Sequence, residues 1–325
     1  MGELLPEFSW TEMVVLPWTD EIGVFIWIAL MGFFVTTACG LIGNYLILRR
    51  MALVGDAISH SVLPGIAIAF LVSQSRGSLP LFLGALGAGI LTTVMIEMIH
   101  GKSRIKQDAA IGITFSCLFA IGVILISLYT STIDLDADCV LFGEIGYVPY
   151  EYPFVEIAGL TLGPLSVVRM AAITLLTVGL IAVFYKELLV SSFDPALSTS
   201  LGINARLMHY SLMAGLSVVV VSAFESVGAI LVIAMLILPG ATASLLSQCL
   251  GIRLILTVAH AAVSSLAGIQ LAIVLDSSMA PAMVVAGCGL FALAWLLSPG
   301  DGLRRLLREK RRNPIHGDMP PVAEK

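Results

Sequence analysis

Residues 22 to 48 read IGVFIWIALMGFFVTTACGLIGNYLIL, a run without one Asp, Glu, Lys, Arg or His, and Arg49-Arg50 ends it. A helix needs about 20 apolar residues to cross about 30 Å of hydrocarbon, so this run is long enough to span a bilayer. The pattern recurs along the chain. Further apolar blocks at about 51 to 72, 80 to 99, 109 to 130, 167 to 189, 207 to 224, 228 to 249, 254 to 275 and 279 to 297 are each bounded by charges or turn residues. The fold class that follows is an all-α integral membrane protein, a polytopic bundle of about nine transmembrane helices, eight to ten given the soft block ends. Composition agrees, because 58% of the 325 residues are hydrophobic and 12% charged, against about 25% charged in ordinary soluble domains. Three regions are expected: an acidic extracytoplasmic segment over 1 to 21, a membrane domain over 22 to 300 and a basic cytoplasmic tail over 301 to 325.

Orientation follows the distribution of Lys and Arg, not the formal net charge of -5. With the N-terminus outside, the inner segments hold Arg49, Arg50, Lys102, Arg104, Lys106, Lys186, Arg206, Arg253 and the seven basic residues of the tail, leaving Arg76 and Arg169 outside. The acids run the other way. Glu3, Glu7, Glu12, Asp20 and Glu21 precede the first block, and the outer segment 131 to 166 carries six acids and no Lys or Arg. An acidic mouth concentrates cations and offers a partner a complementary surface; acids that merely populate translocated loops are the other reading. Within 131 to 166, Val140 to Ile145 reads as a short re-entrant or interfacial helix. The acidic N-terminal segment lacks the basic region of a secretory signal, so the first block is expected to remain as a helix.

Ionisable groups inside apolar blocks are costly, so each is a functional candidate. Asp56 lies in GDAISHSVLPG, with His60 four residues on, so a helix stacks carboxylate and imidazole on one face. The pair makes half of a coordination shell suited to Mn, Fe or Zn, or else a hydrogen bond that fastens helices. Ser59 and Ser61 are candidates for supporting hydrogen bonds, and Pro64-Gly65 for a loosened backbone. Glu225, between two blocks, reads as a further ligand or gate residue, or as a cap of the next helix. Glu97 reads as an interfacial acid reaching for water, and His209 and His260 as packing histidines. Small residues four apart, Gly32, Thr36, Gly40 and Gly112, Ser116, Ala120, permit close helix packing. The five cysteines have no C-x-x-C spacing, and all but Cys139 read as small buried hydrophobes.

Several classes are excluded. Gly101-Lys102-Ser103 looks like the end of a phosphate loop, but its required first glycine is Ile96. There is no H-E-x-x-H helix and no G-x-S-x-G elbow, and no basic patch interleaved with aromatics for nucleic acid. A transporter without its own ATPase or permanent cofactor fits, and a proton-coupled secondary metal transporter is the rival reading.

The chain resembles permeases of the metal-ion family of ABC transporters, those importing manganese, zinc or iron. The resemblance runs through Met51 to Phe70 (MALVGDAISHSVLPGIAIAF), Lys106 to Ser127 (KQDAAIGITFSCLFAIGVILIS), Leu141 to Ile145 (LFGEI), Lys186 to Ile203 (KELLVSSFDPALSTSLGI) and Glu225 to Ala243 (ESVGAILVIAMLILPGATA). It implies the ABC importer permease fold in a bacterial-type cytoplasmic membrane, with Asp56 and His60 touching the metal in transit. It also implies that the segment 191 to 202, with Phe193, Asp194, Pro195, Leu201 and Gly202, docks on a separate ATP-binding subunit. An extracytoplasmic metal-binding receptor and a second permease copy or paralogue are the other implied partners, beside membrane lipid. Asp194-Pro195 is in its own right a good helix start.

Overall fold

The computed structural model describes residues 16–19, 22–73, 78–129, 145–151, 154–157 and 160–298. Its helices are α1 (Leu16–Thr19), α2 (Ile22–Leu48), α3 (Val54–Ser73), α4 (Ser78–Lys102), α5 (Gln107–Tyr129), α6 (Leu165–Val183), α7 (Tyr185–Phe193), α8 (Pro195–Ser200), α9 (Ala205–Val227), α10 (Ala229–Leu246), α11 (Leu250–Leu275) and α12 (Met279–Leu297). Eight of the described helices, α2 to α6, α9, α11 and α12, are long and apolar enough to cross a membrane. The ninth expected block is α10, whose apolar part, Leu231–Leu246, is shorter. The block expected to run from 167 to 189 is divided. Phe184, at φ -98 and ψ 23, caps the end of α6 and the start of α7.

Helix α2 is the centre of the bundle. It is buried without interruption from Val35 to Leu46, as a helix apolar on every side must be. It packs chiefly against α10, α11 and α6. Close approach needs glycine at one point, because a Cβ on Gly43 would strike the Leu236 carbonyl of α10. Beside it, Asn44 Nδ2 donates to the Gly40 carbonyl and to Thr257 Oγ1 of α11, each at 2.8 Å. The expected packing role of Gly32 and Gly40 is met, against Met283 and against Thr257 and Pro239. Gly112 differs, since nothing lies within 4 Å of where its Cβ would stand.

A second group comprises α3, α4 and α5. Gly65 of α3 and Gly84 of α4 meet so closely that a Cβ on Gly65 would strike the Gly84 carbonyl. Pro64 sits inside α3 without breaking it, with its ring against Gly122 of α5. The expected loosening is therefore confined to one lost hydrogen bond. Proline has no N–H, so the carbonyl four residues back, that of His60, loses its helical donor.

The segment expected on the outer side, 131 to 166, is described only in part, from Ile145 onward. Residues 131 to 144, including Cys139 and most of the expected interfacial helix, lie outside the described residues, as does the tail. Then comes a 3₁₀ turn over Ile145–Tyr150, with Ile145 and Val148 in the core, and an antiparallel hairpin of β1 (Phe154–Ile157) and β2 (Leu160–Pro164). Gly163, at φ +108, closes onto the Trp27 ring of α2, a place no side chain fits. Of the described cysteines only Cys39 is buried; Cys117, Cys249 and Cys288 are on the outside of the bundle. Lipid tails are as apolar as a core, so the thiols of Cys117 and Cys288, both within spans, need no burial in protein, whereas Cys249 lies in the connection before α11.

Candidate functional site

Asp56 falls in the first turn of α3 and His60 one turn on. His60 Nε2 stands 3.2 Å from Asp56 Oδ1. Two donor atoms each about 2.1 Å from one ion lie about 3.0 to 3.4 Å apart at octahedral to tetrahedral angles, so this pair already has the spacing to share an ion. The imidazole is held from behind by α5. Its ring centroid is 5.1 Å from Phe115 and 5.9 Å from Phe119, the latter edge-on.

The rest of α3 explains why the pair is reachable. Ala57, Ile58, Ser59, Ser61 and Val62 are buried, whereas Asp56, His60 and Leu63 form a partly open stripe. The Ser59 and Ser61 hydroxyls point away from the pair and donate to the Gly55 and Ala57 carbonyls, at 3.0 and 2.6 Å. They fasten their own helix and do not support the ligands, because a serine in an apolar helix is satisfied most cheaply by the carbonyl four residues back. Among the described residues no third His, Cys, Asp or Glu joins Asp56 and His60.

Glu225 lies in the last turn of α9, and Gly228 at φ 81 is the residue that starts α10. Its neighbour Phe224 packs with Val62 and Ala85, about two turns along α3 from Asp56. The side chain of Glu225 is outside what the structure describes.

At the end of the bundle where α2 finishes, the chain builds a second feature. Asp194 Oδ1 accepts from the Ala196 and Leu197 N–H groups at 2.9 and 3.0 Å, and Pro195 opens α8. Gly202, at φ 80, closes it, with Gly202 N–H donating to Thr199 and Ile203 N–H to Ser198, a Schellman ending. The expected helix start is thus met. Across this turn Phe193, Leu197 and Leu201 recur every fourth residue and are 61%, 49% and 61% exposed, outside the membrane-spanning helices.

The same end holds what the sequence did not reveal. Arg49 donates from Nε to Ser192 Oγ and from Nη2 to Ser191 Oγ, both at 3.1 Å, and its Nη1 is 3.1 Å from His209 Nδ1. His209 Nε2 is in turn 2.8 Å from Glu97 Oε1. Burial pulls the Arg49 guanidinium below its ordinary pKa. Glu97 is therefore a bonded acid and not a free interfacial one, and His209 is a bridge, not packing. A cavity of about 1020 Å³ opens here, with Arg50, Lys102 and Arg206 also on its wall. His260 is a packed histidine, but its Nδ1 has no partner among the described residues.

The ABC 3 transport family matches residues 22–298, which takes in α2 to α12. The chain belongs to the ABC 3 transport family. It is 43% identical over 291 residues to the manganese transport system membrane protein MntD of Bacillus subtilis (strain 168), an alignment covering 88% of this chain and 98% of MntD. It is 42% identical to the zinc transport system membrane protein TroD of Treponema pallidum, covering 91% of this chain and 80% of TroD. Its fold is similar to PsaBC from Streptococcus pneumoniae in complex with Fab, at a TM-score of 0.73 and 31% identity, covering 93% of this chain and all of that one. The chain is a multi-pass membrane permease of an ABC import system, the non-catalytic membrane component. The proton-coupled secondary transporter falls with that membership, since ABC systems are ATP-driven.

Proposed function

We propose that this ABC 3 permease conducts divalent transition metal ions, manganese, zinc or iron, and that Asp56 and His60 are its ligands in transit. The observation that carries the reading is the 3.2 Å Asp56–His60 pair on a partly open stripe flanked by the buried Ala57, Ile58, Ser59, Ser61 and Val62. A carboxylate and an imidazole suit these ions, whereas softer ions favour thiolates. A carboxylate facing lipid would be costly. The stripe therefore faces water and a second permease copy, whose own pair, or water, completes the shell. Few strong ligands per chain let the ion leave as well as enter. Glu225 acts as a further gate or ligand nearer the opposite end of the path.

Arg49, Arg50, Lys102 and Arg206 share one end of the bundle, and the excess of positive charge makes that end cytoplasmic. Arg169, stacked over Phe82 at 5.6 Å, belongs to the outer end. The exposed Phe193, Leu197 and Leu201 then dock on the ATP-binding subunit, with Asp194, Pro195 and Gly202 holding their shape. A receptor protein delivers the ion to the acidic outer face. The test is uptake of radiolabelled manganese and zinc into proteoliposomes holding the permease, its ATPase and its receptor. ATP-dependent uptake that His60→Ala abolishes while the complex stays assembled supports the reading. Uptake undiminished in His60→Ala removes the proposed site.

A further inference from the structure

We propose that Arg49 is a positioning residue for transport, tying the ATPase-docking segment to the helices beside the metal path through Ser191 and Ser192 on one side and His209 and Glu97 on the other. The inference rests on the reading that residues 191 to 202 meet the ATPase.

Hydrogen-bond chemistry gives the connection a direction. Arginine can only donate, so His209 Nδ1 must accept from Nη1 at 3.1 Å. The imidazole proton is then on Nε2, which donates to Glu97 Oε1 at 2.8 Å. On the other side the serine hydroxyls accept from Nε and Nη2. Ser191 is itself buried and donates onward to the Leu188 carbonyl at 3.3 Å, so its lone pairs are aimed at the guanidinium. The planar fork of Arg49 thus holds α7 to α9 from the end of α2, and His209 extends the hold to α4.

Helices α4 and α9 are the walls behind the metal site. Gly89 of α4 lies against Ile58 of α3 and Ser217 of α9, so that a Cβ added there would stand 3.3 and 3.4 Å from them. Ile58 is between Asp56 and His60 in sequence. A push on α7 therefore has a bonded path to the helices that pack on α3. Charge alone does not explain Arg49, because Arg50, Lys102 and Arg206 already line the same cavity. What Arg49 adds is a fork with three acceptors, which the point charge of lysine cannot reproduce.

The experiment uses the assembled transporter with ATPase and receptor in proteoliposomes, and reads ATPase co-purification, ATP hydrolysis and manganese uptake. Arg49→Lys is expected to keep co-purification and hydrolysis within about twofold while moving about tenfold fewer ions per ATP. Glu97→Gln, which keeps an acceptor oxygen for His209, is expected to stay near wild type, and Glu97→Ala to behave as Arg49→Lys. Wild-type ions per ATP in either Arg49→Lys or Glu97→Ala overturns the proposal. So does a parallel loss of assembly, hydrolysis and uptake, which marks a structural role only. Phe193→Ala tests the docking reading separately: intact co-purification in that variant defeats the reading itself.

Discussion

Phe193→Ala is expected to weaken the proposed grip of the ATPase subunit, and the structure sets the size of the effect. A phenylalanine offers about 200 Å² for burial, and Phe193 is 61% exposed in the free permease. Docking can therefore remove about 120 Å² of ring surface from water, worth about 3 kcal/mol at about 25 cal/mol per Å². That is a ceiling, since a partner covers less than the whole ring and association carries its own costs. The expected rise in Kd is roughly 10-fold to 100-fold. Titrating a fluorescent ATPase subunit onto nanodisc-embedded permease measures it. Leu175→Ala is the control, because Leu175 is 70% exposed but sits within the span Leu165–Val183, where its neighbour is lipid. A Kd within about twofold of wild type for Phe193→Ala, or an equal loss for Leu175→Ala, refutes the reasoning.

Asp194→Ala removes both bonds at the start of α8, costing about 1 kcal/mol of local helix stability and lowering ATP-driven uptake, with Asp194→Asn restoring most of it. Gly65→Ala forces α3 and α4 apart at the Gly84 carbonyl and costs about 1 to 3 kcal/mol, read as a lower unfolding temperature in detergent. Asn44→Leu deletes the link from α2 to Thr257, a loss of about 0.6 to 2 kcal/mol by the same assay, without altering metal selectivity.

The bundle was legible because each span is a long apolar run ended by charge, and Arg49-Arg50 after Leu48 is the plainest case. Asp56 and His60 were legible because four residues is one helical turn, so their contact is a local property. The Asp194-Pro195 start was local too. The Arg49–His209–Glu97 connection was not, because its members are 160 and 112 residues apart and each alone reads as an ordinary interfacial group. The hairpin over Phe154–Pro164 was hidden by the prolines around it, which signal loop, while the feature that fixes it is a packing of Gly163 on Trp27. The serines beside His60 misled for a related reason: spacing tells which face a hydroxyl shares but not that its own helix has claimed it.

On the proposed reading the imidazole of His60 and the carboxylate of Asp56 hold the ion in transit. Pulsed electron paramagnetic resonance of manganese loaded onto the reconstituted transporter reads the ligand directly, through the magnetic coupling of a directly bound imidazole nitrogen. That coupling is expected in wild type and is expected to be lost in His60→Ala, with manganese affinity also reduced in Asp56→Asn. A manganese signal with unchanged nitrogen coupling in His60→Ala would contradict it.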